Sequence, residues 1–137
     1  MQLPTTADIV ELIEAVRIDD PHGWPAWTDT VPGTSIGVWE DAQEVLALVT
    51  ALPAAPRMRC FVPGYALRAR TGEHPVFPRV TLFEIAFCFR CNGAWSYGPA
   101  VTGDKALAHQ TFDPASAPAR ALLDRFRRAN AALQPTD

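Results

Sequence analysis

Hydrophobic residues follow two periods along this chain, a helical period near both ends and an alternating one in between. Near the start, four apolar residues recur at helical spacing: Ile9, Leu12, Ile13 and Val16. This spacing predicts a first helix over residues 6–18. A second apolar stripe predicts a helix over residues 40–52, which Pro53 ends because proline has no amide proton to donate. A third stripe predicts a closing helix that Ser116 caps.

From Arg57 onward, apolar residues alternate with polar ones, as in strands that bury one face. The alternation predicts strands over residues 57–62, 65–70, 80–91, 94–97 and 107–112, after at most a short one at 36–38. The pair Asn92-Gly93 predicts a two-residue hairpin turn after the longest strand. The chain is therefore predicted to be one α+β domain over residues 1–137. Its antiparallel sheet has about four to five strands, with the N-terminal helices and the C-terminal helix packed on one face.

A Pro- and Gly-rich stretch, residues 19–39, separates the first two predicted helices and carries three tryptophans: Trp24, Trp27 and Trp39. Large apolar rings favour burial, so we expect this stretch to be ordered. It either caps an open end of the core or forms a lid that walls a pocket.

The composition indicates the general kind of protein. The 137 residues, 48% of them hydrophobic and 20% charged, suit a globular domain. The first twenty residues contain five acidic side chains and no long apolar run, which predicts a cytoplasmic protein without a signal peptide or membrane span. In the cytoplasm, the three cysteines are expected to be reduced thiols.

The net charge of −3 conceals an asymmetry between the two halves of the chain. Nine acidic residues and one basic residue precede Pro56, whereas eleven basic and six acidic residues lie from Pro56 onward. The halves either complement each other within one fold or leave an acidic face for a basic protein partner, as in immunity or antitoxin-like inhibitors. Nucleic-acid binding is not expected, because the arginines do not form a patch with interleaved aromatic residues.

Cysteine chemistry centres on the stretch CFRCNGAW, in which Cys88 ends a strand and Cys91 precedes the turn. A Cys-x-x-Cys pair at a hairpin is typical of zinc knuckles, with Cys60 as a third ligand. His22, His74 or His109 would be the fourth, and no spacing selects among them. The alternatives are three buried thiols that only pack, or a catalytic thiolate assisted by Glu84, which shares a strand face with Cys88. A thioredoxin-type site is disfavoured, because the pair does not begin a helix.

Three motifs together resemble a group of small uncharacterised bacterial proteins. These motifs are the run RCFVPGYAL at 59–67, the run CFRCN at 88–92, and TFDP at 111–114 before the closing helix. The group carries an Arg-Cys-x-x-Pro-x-(His or Tyr)-x-Leu strand and a Cys-(Phe or Trp)-x-Cys-Asn strand end, and we know no assigned activity for it. The resemblance implies that Cys60, Cys88 and Cys91 meet in space. Tyr65 and Phe61 stand where relatives carry histidine, which weakens the case for zinc.

The function predicted from the sequence is that of a small accessory or binding protein. Its pocket for a small ligand would lie between the tryptophan-bearing stretch and the cysteine cluster, and would be formed by Trp24, Trp27, Trp39, Arg59, Tyr65 and Arg68. The alternative is an enzyme that uses a cysteine-bound metal or a thiolate, with Cys60, Cys88, Cys91 and Glu84 as candidate catalytic residues. The cofactor is accordingly either none or zinc, and the sequence sets no oligomeric state.

Overall fold

The computed structural model describes residues 1–76 and 78–133, which form one six-stranded antiparallel sheet and three α-helices. The strands are β1 (Leu12–Arg17), β2 (Thr34–Trp39), β3 (Tyr65–Arg70), β4 (Thr81–Cys88), β5 (Gly93–Tyr97) and β6 (His109–Thr111). The helices are α1 (Ala42–Thr50), α2 (Lys105–Ala108) and α3 (Ala117–Leu133). The strand order β2-β1-β3-β4-β5-β6 places β3 and β4 at the centre. The predicted α+β class is confirmed, and the sheet is larger than the four to five strands expected.

One face of the sheet is covered by α1 and α3. Phe83 and Phe87 of β4 are fully buried there against Phe126 of α3, as the alternation in β4 predicts. Helix α3 begins where expected, because the Ser116 hydroxyl accepts a hydrogen bond from the Ala119 amide at 3.4 Å. We call this side of the sheet the helix face.

The opposite face is covered by irregular chain rather than by helices. Residues 18–33 run across it, and the segment 53–64 lies beside them. Val31 in the first of these is fully buried, and Phe61 in the second is 6% exposed. Both pack into a second apolar cluster with Val16, Ala66, Ala86, Cys88 and Cys91. We call this side the loop face and residues 18–33 the covering loop.

The predicted first helix over residues 6–18 is wrong. Residues 5–9 form one short 3-10 turn, and β1 follows. Ile13 and Ala15 are buried on the helix face, whereas Val16 is buried on the loop face. A strand buried on both faces does not alternate cleanly, and its apolar residues then repeat at spacings that match a helix.

Two strand boundaries also differ from the prediction. Residues 57–62 form no strand, although their side chains alternate. Strand β4 ends at Cys88, and the hairpin loop has four residues, 89–92, because Cys88 pairs with Gly93. Asn92 has a φ of 57°, so the left-handed position falls on the residue expected, within a longer turn. Among the described residues, none of the helices is both long and apolar enough to cross a bilayer.

Candidate functional site

A row of polar side chains crosses the loop face at the centre of the sheet. Glu14 of β1 lies opposite Arg68 of β3, Arg68 lies opposite Glu84 of β4, and Glu84 lies opposite Tyr97 of β5. Antiparallel register therefore places four polar residues side by side on four neighbouring strands. We call this set the polar row.

Arg68 holds the polar row together. Its guanidinium donates to Glu14 Oε1 at 2.7 Å and to Glu84 Oε1 at 2.8 Å. It also donates to the Val31 carbonyl at 2.6 Å, and the Val31 amide donates to the same Glu84 oxygen at 3.2 Å. Burial acts to lower the pKa of Arg68, but the two carboxylates outweigh it and leave that pKa raised, so Arg68 stays charged. These bonds also fasten the covering loop to the sheet.

A cleft of about 270 Å³ opens at one end of the polar row. The strand residues that line it include Arg68, Arg70, Glu84 and Tyr97, and the covering loop contributes Asp29 and Thr30. Two of its polar atoms, Arg70 Nε and the Tyr97 hydroxyl, are buried and have no hydrogen-bond partner among the described residues. A buried polar atom without a partner is uncommon and calls for an explanation.

The ionisation of these two groups follows from their surroundings. Burial, and secondly the negative charge of Glu84, raise the pKa of Tyr97 to about 12. The phenol is therefore protonated at neutral pH and can donate a hydrogen bond. Within the described part of the chain, Arg70 makes one ion pair, from Nη2 to Glu14 Oε1 at 3.3 Å, and its Nε has no partner there.

Larger depressions lie elsewhere on the surface, and the polar row does not line the two described next. One of about 560 Å³ is lined by exposed residues that include Glu73, Pro75 and Arg79, and Arg79 pairs with Glu73. Another of about 460 Å³ lies beside Gln2, Arg57 and Gln110. We favour the smaller cleft because its floor is the buried polar row, which already has fixed charges and donors.

The three cysteines meet at the other end of the loop face. Cys60 and Cys91 are joined by a disulfide, with their Cα atoms 5.5 Å apart. Cys88 is a free, fully buried cysteine whose sulfur accepts hydrogen bonds from the Val62 amide at 3.3 Å and the Cys91 amide at 3.2 Å. The segment 53–64 and the β4–β5 hairpin thus both contact one sulfur.

The disulfide corrects the expectation of three reduced thiols. The fold brings the Cα atoms of Cys60 and Cys91 to a distance that a disulfide can span. The spacing of the cysteines in the sequence could not reveal this proximity. Disulfides persist mainly in oxidising compartments, so the cytoplasmic location stays a prediction. Among the described residues, no group of three or more His, Cys, Asp or Glu side chains is placed to hold a metal ion. The zinc site at Cys60, Cys88 and Cys91 also stays a prediction.

Aromatic side chains connect the covering loop to the cysteine cluster. Trp24 contacts Phe61 and Trp95 edge to face, with ring centroids 5.6 and 4.6 Å away. Phe61, next to Cys60, stacks on Trp95 at 4.3 Å. Trp27 contacts Tyr97 of the polar row at 6.1 Å. The loop therefore rests on both ends of the loop face.

The six residues predicted to form one pocket are divided between the two faces. Trp39 and Tyr65 lie on the helix face, where both contact Phe126. Trp24 and Trp27 lie on the loop face and do not appear among the residues lining the cleft. Arg68 lines the cleft, whereas Arg59 is exposed next to Cys60.

Sequence reasoning missed Glu14 of the polar row and four residues that line the cleft: Asp29, Thr30, Arg70 and Tyr97. The sequence pattern hides Glu14, because the apolar residues of its strand repeat at helical spacing. The alternation places Arg70 and Glu84 on strands, but it does not reveal which strands are neighbours or in what register they pair. Comparison with protein-family models, with curated proteins and with solved structures finds no match for this chain.

Proposed function

We propose that this protein binds a compact ligand with a carboxylate and an ammonium group, of the amino-acid type, in the cleft beside the polar row. The observation that carries the proposal is the pair of buried, unpartnered donors, Arg70 Nε and the Tyr97 hydroxyl, which line one cleft. A ligand that accepts hydrogen bonds from both would satisfy groups that otherwise lower the stability of the folded chain.

The donors indicate where the anionic end of the ligand lies. Arg70 carries a fixed positive charge, and its planar guanidinium suits a carboxylate. Tyr97 remains a donor across the physiological range because its pKa is about 12. The two side chains come from β3 and β5, which are two strand spacings or about 10 Å apart, and both are long enough to extend over β4.

The acceptors indicate where the cationic end lies. Glu84 uses Oε1 for both the Arg68 and Val31 bonds, and its second oxygen accepts no hydrogen bond from the described residues. Asp29 lines the cleft, is exposed, and makes no ion pair with the described residues. A ligand with an ammonium group can pair with these oxygens, whereas a purely anionic ligand would meet repulsion from them.

The size of the cleft limits the ligand to a few heavy atoms. A volume of 270 Å³ corresponds to roughly nine water molecules in the liquid. This range includes glycine, β-alanine and 4-aminobutyrate, which place the same two charged groups at increasing separation.

The test measures binding of these three zwitterions by calorimetry, with acetate, butyrate and butylamine as ligands that have one charged group. We expect at least one zwitterion to bind, and to bind more tightly than the single-charge ligands of similar size. Tyr97→Phe should weaken binding about tenfold, since it removes one hydrogen bond. The same change should leave the free energy of unfolding equal or higher, because none of the described residues forms a hydrogen bond with the hydroxyl.

Tyr65→Phe is the matched control, since Tyr65 lies on the helix face and should bind ligand as the unchanged protein does. The proposal fails if no zwitterion binds the unchanged protein below millimolar concentration, or if Tyr97→Phe and Tyr65→Phe bind equally well.

A further inference from the structure

We propose that Cys60 is an attack site for thiol–disulfide exchange with small thiols that carry carboxylates. This inference concerns the cysteine end of the loop face and does not depend on ligand binding at the polar row. It rests on three observations: the exposure of Cys60, the charges beside it, and the hydrogen bonds to the Cys88 sulfur.

Accessibility differs sharply among the three cysteines. Cys60 is an exposed residue, whereas Cys91 is 4% exposed and Cys88 is fully buried. A thiolate from solvent must approach one sulfur of the disulfide along the sulfur–sulfur axis. Cys60 is therefore the sulfur that receives the attack, and Cys91 is the one that leaves.

Three arginines lie close in sequence to the two cysteines of the disulfide. Arg57 and Arg59 lie just before Cys60, and Arg90 precedes its disulfide partner. All three are exposed, and none forms an ion pair with the described residues.

Neighbouring negative charge offsets this positive charge only in part. Asp113 donates its backbone amide to the Pro53 carbonyl, which places one carboxylate against a segment that carries two arginines. The positive field also reaches His109, whose pKa is lowered first by burial and then by Arg57 and Lys105. A negatively charged thiol is therefore attracted to Cys60 and a positively charged thiol is repelled.

The chemistry proceeds in two balanced steps. The small thiol loses its proton to water and attacks Cys60 Sγ, forming a mixed disulfide while the Cys60–Cys91 bond breaks. Cys91 leaves as a thiolate and takes a proton from water. A second thiolate then attacks the sulfur of the small thiol in the mixed disulfide, giving a free Cys60 thiol and the oxidised small thiol. Both electrons that reduce the protein disulfide come from the two small thiols.

Cys88 keeps the separated partners in place. Its sulfur accepts hydrogen bonds from Val62, two residues after Cys60, and from Cys91 itself. After the disulfide breaks, these two bonds still hold the segment 53–64 against the hairpin. Cys91 thus stays close to Cys60, and the reverse attack on the mixed disulfide can restore the original bond.

The test compares three thiols that differ in charge: glutathione, which is anionic, 2-mercaptoethanol, which is neutral, and cysteamine, which is cationic. Each is mixed with the oxidised protein, the reaction is stopped with acid, and mixed disulfides are located by peptide mass spectrometry. Rates are divided by those of a short unstructured peptide disulfide, which removes intrinsic differences in reactivity. We expect the first mixed disulfide at Cys60, and a normalised rate about threefold to tenfold higher for glutathione than for cysteamine at low salt. This ratio should approach one as salt is raised.

The double change Arg59→Gln and Arg90→Gln should remove most of the preference for glutathione. Its control is Arg120→Gln with Arg127→Gln, two exposed arginines of α3 that alter the net charge equally. Thermal melting of both variants verifies that they are folded. The proposal is overturned if the first mixed disulfide forms at Cys91, if Cys88 is modified instead, or if all three thiols react alike. It is also overturned if the folded protein does not exchange at all.

Discussion

At the scale of single residues, Arg125 joins three elements through one side chain. It forms two hydrogen bonds to the Asp41 carboxylate, at 2.9 and 2.7 Å, from α3 to the residue before α1. The same guanidinium lies 4.7 Å from the centroid of the Trp39 ring on β2. Paired, bidentate contacts of this kind are more effective than single surface ion pairs, because both side chains are fixed in orientation.

The pair predicts a pH dependence of stability. The hydrogen bonds from Arg125 hold the pKa of Asp41 below its usual value of 3.8. A carboxyl group with a lower pKa in the folded chain than in the unfolded chain stabilises the folded state at pH values above the unfolded pKa. This contribution is lost as pH falls through the pKa of the folded state. Because Asp41 is 36% exposed, we expect Asp41→Asn to lower the free energy of unfolding by about 1 kcal/mol at pH 7. The loss should shrink as pH falls below 3.8 and through the lowered pKa of the folded state.

Thermal or urea unfolding of both proteins between pH 7 and 2 tests this. Asp124→Asn serves for comparison, since Asp124 pairs with Arg128 in a more exposed position of α3 and should cost less than half as much. An Asp41→Asn deficit that does not change with pH would contradict the argument.

At the scale of elements, the end of the covering loop passes very close to β1 just before β2 begins. A Cβ atom on Gly33 would overlap the Arg17 carbonyl oxygen and lie 2.6 Å from Val16 Cγ1. Both belong to β1, which pairs with the strand that Gly33 leads into. Glycine is required here by close approach, because any side chain would push the loop away from β1.

Gly33→Ala is therefore expected to lower the free energy of unfolding by about 2–3 kcal/mol. Gly64→Ala is the matched control, because a Cβ atom there would contact nothing within 4 Å. That control should be neutral or slightly stabilising, since alanine restricts the unfolded chain. Equal urea midpoints for the two variants would contradict this account of the loop.

Some of these elements can be predicted from the sequence, and others cannot. Helices α1 and α3 and the strands β3, β4 and β5 were predictable, because each shows the period of its own kind of element. Strand β1 was not, because its apolar residues, which are buried on both faces, repeat at helical spacing. Within the candidate site, the side of β3 and β4 on which Arg68 and Glu84 lie could be predicted. The polar row could not, because it depends on register between strands that are distant in sequence.

At the scale of the whole molecule, the opposite charges of the two halves meet inside the fold. Glu14 and Asp41, from the acidic half, pair with Arg68 and Arg125 from the basic half. These contacts support the interpretation that the asymmetry is internal. Docking of a basic partner on an acidic face stays a hypothesis for the exposed acidic residues.

The disulfide is the other long-range connection, and it joins positions 31 residues apart. By restricting the unfolded chain, a loop of this length contributes about 3–4 kcal/mol. We expect reduction with a phosphine to lower the melting temperature by more than ten degrees in a domain of this size, as about 4 °C per kcal/mol implies. Calorimetry with and without the phosphine measures this shift.

Cys60→Ala supplies the control, because its melting temperature should not respond to the phosphine. If the oxidised and reduced forms of the unchanged protein melted together, the disulfide would not constrain the unfolded chain as argued.

The aromatic chain beside the disulfide has an optical consequence. Trp24, Phe61, Trp95 and His109 follow one another ring against ring, and Trp95 lies 4.2 Å from His109. Two of these rings are indoles, and Phe61 is covalently adjacent to Cys60. Any movement of the segment after the sulfur–sulfur bond opens would change the polarity around both indoles. Tryptophan emission would therefore report the oxidation state to the extent that Phe61 shifts against Trp24 and Trp95, and emission spectra recorded during reduction measure that shift.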